Sequence, residues 1–182
     1  MNSTSARAVF GSFESACVPG LLQTADYARS MFRRGVRLHR TLDDGGEAVR
    51  ARMGRQGILD LPDKTFHILL WEPALRLRLG SEDVMADQLT RVIAEIMRGR
   101  AEIGVIPLHT GMDVVPSHGF WIFDDDQVLV ETIGAELCLT DDDAVAPYQR
   151  VFAELTRSAV QGPAAARLVE GIRRDLGRLS GH

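Results

Sequence analysis

Three carboxylates of this chain sit among large apolar residues: Glu14 directly after Phe13, Glu72 between Trp71 and Pro73, and Glu131 at the end of Val128-Leu129-Val130. Burial raises a carboxyl pKa toward neutrality, so such a group can hold or hand over a proton on a bound molecule. Glu72 and Glu131 are the candidates for that chemistry, and pairing with an arginine is the structural alternative for each. No stronger catalytic signature is present. There is no Gly-x-Ser-x-Gly elbow, phosphate loop, Cys-x-x-Cys pair or His-Glu-x-x-His motif. The histidines His39, His67, His109, His118 and His182 are dispersed without ligand spacing, so neither a metal site nor a cofactor is expected. His118, between a turn-rich loop and an apolar strand, is the histidine best placed to reach a ligand. Asp124-Asp125-Asp126 lacks the spaced oxygen ligands of a calcium loop and reads as a solvated turn.

The segment Val18-Pro19-Gly20-Leu21-Leu22-Gln23-Thr24, followed by Tyr27-Ala28, carries the sharpest local signal. Pro19 sets φ, Gly20 allows a left-handed residue, and Leu21-Leu22 are driven inward. Thr24 then caps a helix running to about Arg33, which directs Gln23 and Tyr27 toward whatever the core encloses. With Trp71, His118 and Trp121 they form the expected ligand-binding set, because a Pro-Gly turn and strand ends supply polar groups at the rim of an apolar enclosure. Phe120, Phe123 and Met112 add aromatic and soft surface to it.

The elements that must position these residues alternate helical and extended patterns. Ala8 to Ser15 reads as an extended entry segment, Gly35 to Gly46 as a polar loop, and Glu47 to Leu59 as a helix. Strands are expected at Thr65 to Trp71, Ile103 to Ile106, Gly119 to Phe123, Val128 to Thr132 and Ala135 to Leu139, with turns at Pro107, Asp124 to Gln127 and Gly134. Between them, Ser81 to Met97 has a serine cap, acidic residues in its first turn and an apolar stripe of Leu89, Val92, Ile93 and Ile96. Two helices close the chain, from about Asp143 to Val160 and from Pro163 onward. The pattern predicts a single α+β domain over residues 1–182: a central antiparallel sheet of about five strands, covered on one face by helices before and after it.

Composition bounds the function. The 182 residues carry a net charge of −4 and 45% hydrophobic residues, enough for one core and with no basic footprint for nucleic acid. Arginine outnumbers the single lysine, Lys64, which reflects GC-rich coding rather than chemistry. Cys17 and Cys138 read as reduced, buried thiols, and no signal peptide or membrane span is apparent, so a soluble cytoplasmic protein is expected.

The order of motifs resembles one family. Val18-Pro19-Gly20, Arg52, Arg55-Gln56, Leu70 to Leu75, Met85 with Gln88-Leu89, Ile103 to Pro107, Phe120 to Asp124, Val128 to Glu131, and Tyr148, Phe152, Leu155 and Ala159 come in its sequence. Together they are similar to the uncharacterised C-terminal domain of XRE-type helix-turn-helix regulators from high-GC bacteria. That resemblance implies sensing of a ligand or small partner protein, and makes Arg52 and Arg55 the arginines matched to pair with the embedded carboxylates. In the family a helix-turn-helix precedes the domain. Here only 17 residues precede Val18, too few for that motif, so DNA binding is not expected to carry over.

Two functions follow as expectations. The first is a regulatory module that binds a hydrophobic small molecule or a small regulatory protein, without nucleic acid or membrane, and with a homodimer left open. The alternative is a stand-alone cyclase or isomerase of natural-product biosynthesis, working by shape, desolvation and one proton carrier in an apolar pocket.

Overall fold

The computed structural model describes residues 8–39, 45–115 and 117–178. Its centre is a mixed sheet that begins where the sequence shows only an entry segment. Strand β1 (Ala8–Glu14) lies in the middle, parallel to β2 (Lys64–Trp71) and antiparallel to β4 (Phe120–Phe123). β3 (Glu102–Ile106) runs parallel to β2, and β5 (Gln127–Glu131) and β6 (Glu136–Leu139) continue from β4 as an antiparallel meander. A two-residue β7 (Val160–Gln161) closes the far edge, giving the order β6-β5-β4-β1-β2-β3-β7.

The all-antiparallel arrangement expected from the sequence is therefore corrected to a mixed one, with seven strands among the described residues. The cause lies in the connections, since parallel strands need crossovers long enough to carry helices. β1 reaches β2 through a 3-10 turn (Gly20–Leu22), α1 (Ala25–His39), α2 (Gly45–Arg55) and a second 3-10 turn (Gln56–Asp60). β2 reaches β3 through α3 (Glu72–Arg76) and α4 (Glu82–Arg98). Only β4, β5 and β6 follow one another as hairpins. Gly11 and Ser12 interrupt the apolar alternation of β1 and hide it as a strand. Gly11 is open because the Phe152 ring lies over it, 3.3 Å from where a Cβ would sit.

Helices cover both faces rather than the one expected. Met85, Leu89, Val92 and Ile96 of α4 and Ala165, Val169, Ile172 and Leu176 of α6 (Gly162–Arg178) pack on Phe66, Ile68, Leu70, Ile103 and Val105. On the opposite face, Val145 and Leu155 of α5 (Asp142–Ser158) cover Phe13, Leu69, Ile106, Ile122 and Val128. Ile93 only half-joins the α4 stripe, and Gln88 takes a fully buried place in it.

Local chemistry sets the ends of these elements. Ser81 caps α4 through the Val84 N–H, and Gly99 ends the helix with φ +68°. Asp124 and Asp125 adopt φ of 49° and 62° to turn the β4-β5 hairpin, and Asp124 Oδ1 accepts the Val9 N–H at 2.7 Å. α1 runs six residues beyond the expected end at Arg33, to His39. The expected loop at Gly35 to Gly46 thus begins as helix, and its residues 40–44 lie outside the described residues. The expected Glu47 to Leu59 helix ends at Arg55 and tightens into the 3-10 turn. No helix among the described residues is long and apolar enough to cross a membrane.

Candidate functional site

The two sheet faces are covered unequally. α4 and α6 lie over β2 and β3, while the outer strands on the same face meet the Pro19-Gly20 turn and the α2 region instead. Successive strand side chains alternate between faces. With Phe13, Ile122, Val128 and Val130 committed beneath α5, the chain must turn Phe10, Trp121, Phe123, Leu129 and Glu131 toward the other side. They floor a cleft of about 330 Å³, walled by Gly20, Leu21, Arg52, Arg55 and Ile58 and closed at the sheet edge by Glu136. The floor is aromatic: Phe10 stacks on Phe66 at 4.8 Å, meets Phe123 edge-on at 5.5 Å, and Trp121 lies along Phe123 at 6.2 Å.

The wall is held by glutamines. Pro19, with φ −66° and ψ 152°, starts the first 3-10 turn. Gly20 is not left-handed, contrary to expectation; its missing side chain instead leaves room for Arg52, whose Nε lies 3.4 Å from where a Cβ would sit. Gln56 Nε2 donates to the Gly20 and Gln23 carbonyls at 2.9 and 2.7 Å. Gln88 accepts the Thr24 N–H and donates to the Leu22 carbonyl, both at 2.8 Å. Gln23 Nε2 donates to the Val18 carbonyl at 2.7 Å, and the Val18 N–H donates to the Tyr27 hydroxyl at 3.2 Å. These contacts satisfy the backbone groups of a turn whose Val18, Leu22 and Gln23 are buried.

Gln23 also orients the wall's cation. Arg52 Nη1 donates to Gln23 Oε1 at 3.0 Å, and its guanidinium lies 4.3 Å from the Phe32 ring centre. Burial lowers the Arg52 pKa, while the Glu131 charge across the cleft opposes that shift. Glu14 stands at the end of β1 beside Trp121. Burial, helped by the Glu131 charge, raises its pKa to about 7 against the pull of the Trp121 and Ser12 side chains. Burial and the Glu14 charge push Cys17 up to about 11, which keeps this thiol protonated and unreactive. Burial likewise raises Tyr27, a hydroxyl that stays neutral.

The expected site residues are thus dispersed. Trp121 and Glu131 line the cleft. Gln23 and Tyr27, only 2% and 0% exposed, lie behind its wall and act on it through Arg52 and the turn. Glu72 is buried elsewhere, paired with Arg76 at 2.6 Å and accepting the Leu108 N–H at 2.8 Å. Its arginine is therefore neither Arg52 nor Arg55. Trp71 packs with the α5 core, as do Phe120 and Met112. His118 is exposed beside a second cavity of about 250 Å³, where its Nε2 lies 3.3 Å from the Tyr148 hydroxyl. Cys138 lies exposed on the edge strand β6 rather than in a core, and accepts from Gln127 Nε2 at 2.9 Å. The cleft also recruits Phe10, Leu129 and Glu136. Their sequence signal is weak, because Phe10 sits in a disguised strand and Glu136 reaches the cleft only by standing opposite Glu131.

The architecture defines a three-layer mixed α/β domain with a cleft on the uncovered half of one sheet face. The chain belongs to the DUF5753 family, described as a domain of unknown function, whose model matches residues 5–171. No curated protein and no solved structure matches the chain.

Proposed function

We propose that this protein is a ligand-sensing regulatory module whose cleft binds a small molecule with an apolar body. One observation carries the reading: a cleft of about 330 Å³, mainly apolar, lies where the helical layer leaves the sheet uncovered. That size and lining suit a small ligand, with the few polar groups fixing its orientation. The regulatory role rests on the resemblance of the motif order to the C-terminal domains of XRE-type regulators. Titration of an aromatic probe, followed by calorimetry, tests the reading. Trp121→Ala should weaken binding and His118→Ala should leave it unchanged; equal affinity in wild type and Trp121→Ala would refute it.

A second reading, an isomerase or cyclase, is favoured by Glu14, which is half protonated near neutrality beside the cleft. A carboxyl poised near the working pH is suited to proton transfer. Under this reading Glu14→Gln abolishes turnover of a substrate whose binding it leaves intact, and full turnover in that variant would exclude it.

A further inference from the structure

The cleft is electrically divided. Arg52 and Arg55 stand on its helical wall, and Glu131 and Glu136 on its strand wall. Arg52 senses the Glu131 charge, yet among the described residues no ion pair joins either arginine to either glutamate. Arg52 is held instead by Gln23 and the Phe32 ring on its own wall.

The strand wall has a second peculiarity. Glu131 and Glu136 are register partners on β5 and β6, so their carboxylates project side by side from one face. Like charges directly opposite in an antiparallel pair destabilise it. Among the described residues neither glutamate is held in an ion pair, and the Arg52 charge reaches Glu131 only across the cleft, so a cation entering from the cleft would relieve the repulsion. Trp121 and Phe123 beside it offer the ring faces that an ammonium also favours.

We propose that the cleft takes a small zwitterion with a flat apolar body, its ammonium group against Glu131 and Glu136 and its anionic group against Arg55 and Arg52. This rests on the ligand-binding reading and names the ligand class. Both ends of such a molecule meet charges of opposite sign that no ion pair occupies, and its body covers the ring floor. A neutral hydrophobe would cover the rings but meet none of the four charges at the cleft's edge.

Four probes on one para-disubstituted benzene frame separate the contributions in calorimetry on the full chain: para-aminomethyl-phenylacetate, para-methyl-phenylacetate, para-methyl-benzylamine and para-xylene. The zwitterion should bind about tenfold tighter than either singly charged probe, as expected for one added charge-assisted hydrogen bond. The double variant Glu131→Gln with Glu136→Gln should reduce it to the affinity of the anion, and Arg55→Gln should weaken the anion but not the amine. These are exposed or cleft-lining side chains, and unchanged circular dichroism verifies the fold. If all four probes bind alike, or one singly charged probe matches the zwitterion, the charge assignment is overturned while the cleft remains a binding site. If none binds, both readings fall.

Discussion

Replacing Glu14 by glutamine should remove a loss of stability that wild type suffers as pH rises. A folded-state pKa of about 7 against the ordinary 4.5 corresponds to about 3 kcal/mol of difference between protonation states. The sign follows from proton counting. Below 4.5 the folded and unfolded chains both hold the proton, and Glu14 contributes no pH dependence. Between 4.5 and about 7 the folded chain keeps a proton that the unfolded chain has released, so unfolding free energy falls with pH. Above about 7 the full penalty of an ionised carboxylate beside Glu131 is present. Glutamine keeps the shape, can still accept from the Trp121 indole, and never ionises. Urea unfolding of both proteins at pH 4.5 and again a unit or more above 7 provides the assay. The variant should match wild type at the lower pH and exceed it by up to about 3 kcal/mol at the higher. His67 works in the opposite direction, since burial lowers its pKa, but it is common to both proteins and cancels in their difference. A variant-minus-wild-type difference that is the same at both pH values would refute the assignment.

Three further outcomes test the frame around the cleft. Gln88→Ala strands the Thr24 N–H and the Leu22 carbonyl, and should cost about 1–3 kcal/mol for each group in a urea titration. In Gly104→Ala the new Cβ meets Leu69 Cδ2 at 2.9 Å and Ala159 Cβ at 3.0 Å. The leucine can rotate away but the alanine cannot, so a loss of about 1–3 kcal/mol is expected, and an unchanged melting temperature would show that β3 can shift. Leu89→Ala empties a fully buried position between α4 and the sheet and should cost about 2–5 kcal/mol by equilibrium unfolding.

Much of the secondary structure is legible in the residues. Strands at 65–71, 103–106, 120–123, 128–131 and 136–139 announce themselves by apolar alternation between turn formers, and α4 by its cap and stripe. β1 is legible only as an extended entry segment and not as the centre of the sheet, because Gly11, Ser12 and Glu14 break its pattern for reasons that lie in its neighbours: a phenylalanine ring above Gly11, and an indole and a second carboxylate beside Glu14. β7 is too short to carry any pattern and exists only by pairing Val160 and Gln161 with β3. The cleft is legible only in fragments. Trp121 and Glu131 are conspicuous by type, whereas Gln23 and Tyr27 carry a signal belonging to the support of the turn.

The sequence by itself determines the local decisions: where helices are capped, where the chain turns, and which strand residues are apolar. Those depend on side chains a few positions apart, whose spacing the order of residues specifies directly. The tertiary structure alone decides that β1 inserts between β2 and β4, that α5 takes the opposite face from α4 and α6, and that Arg52, Arg55, Glu131 and Glu136 meet across one cleft. These are choices of pairing between segments tens of residues apart, and their energy comes from burying whole faces against each other, so no single stretch of sequence contains them.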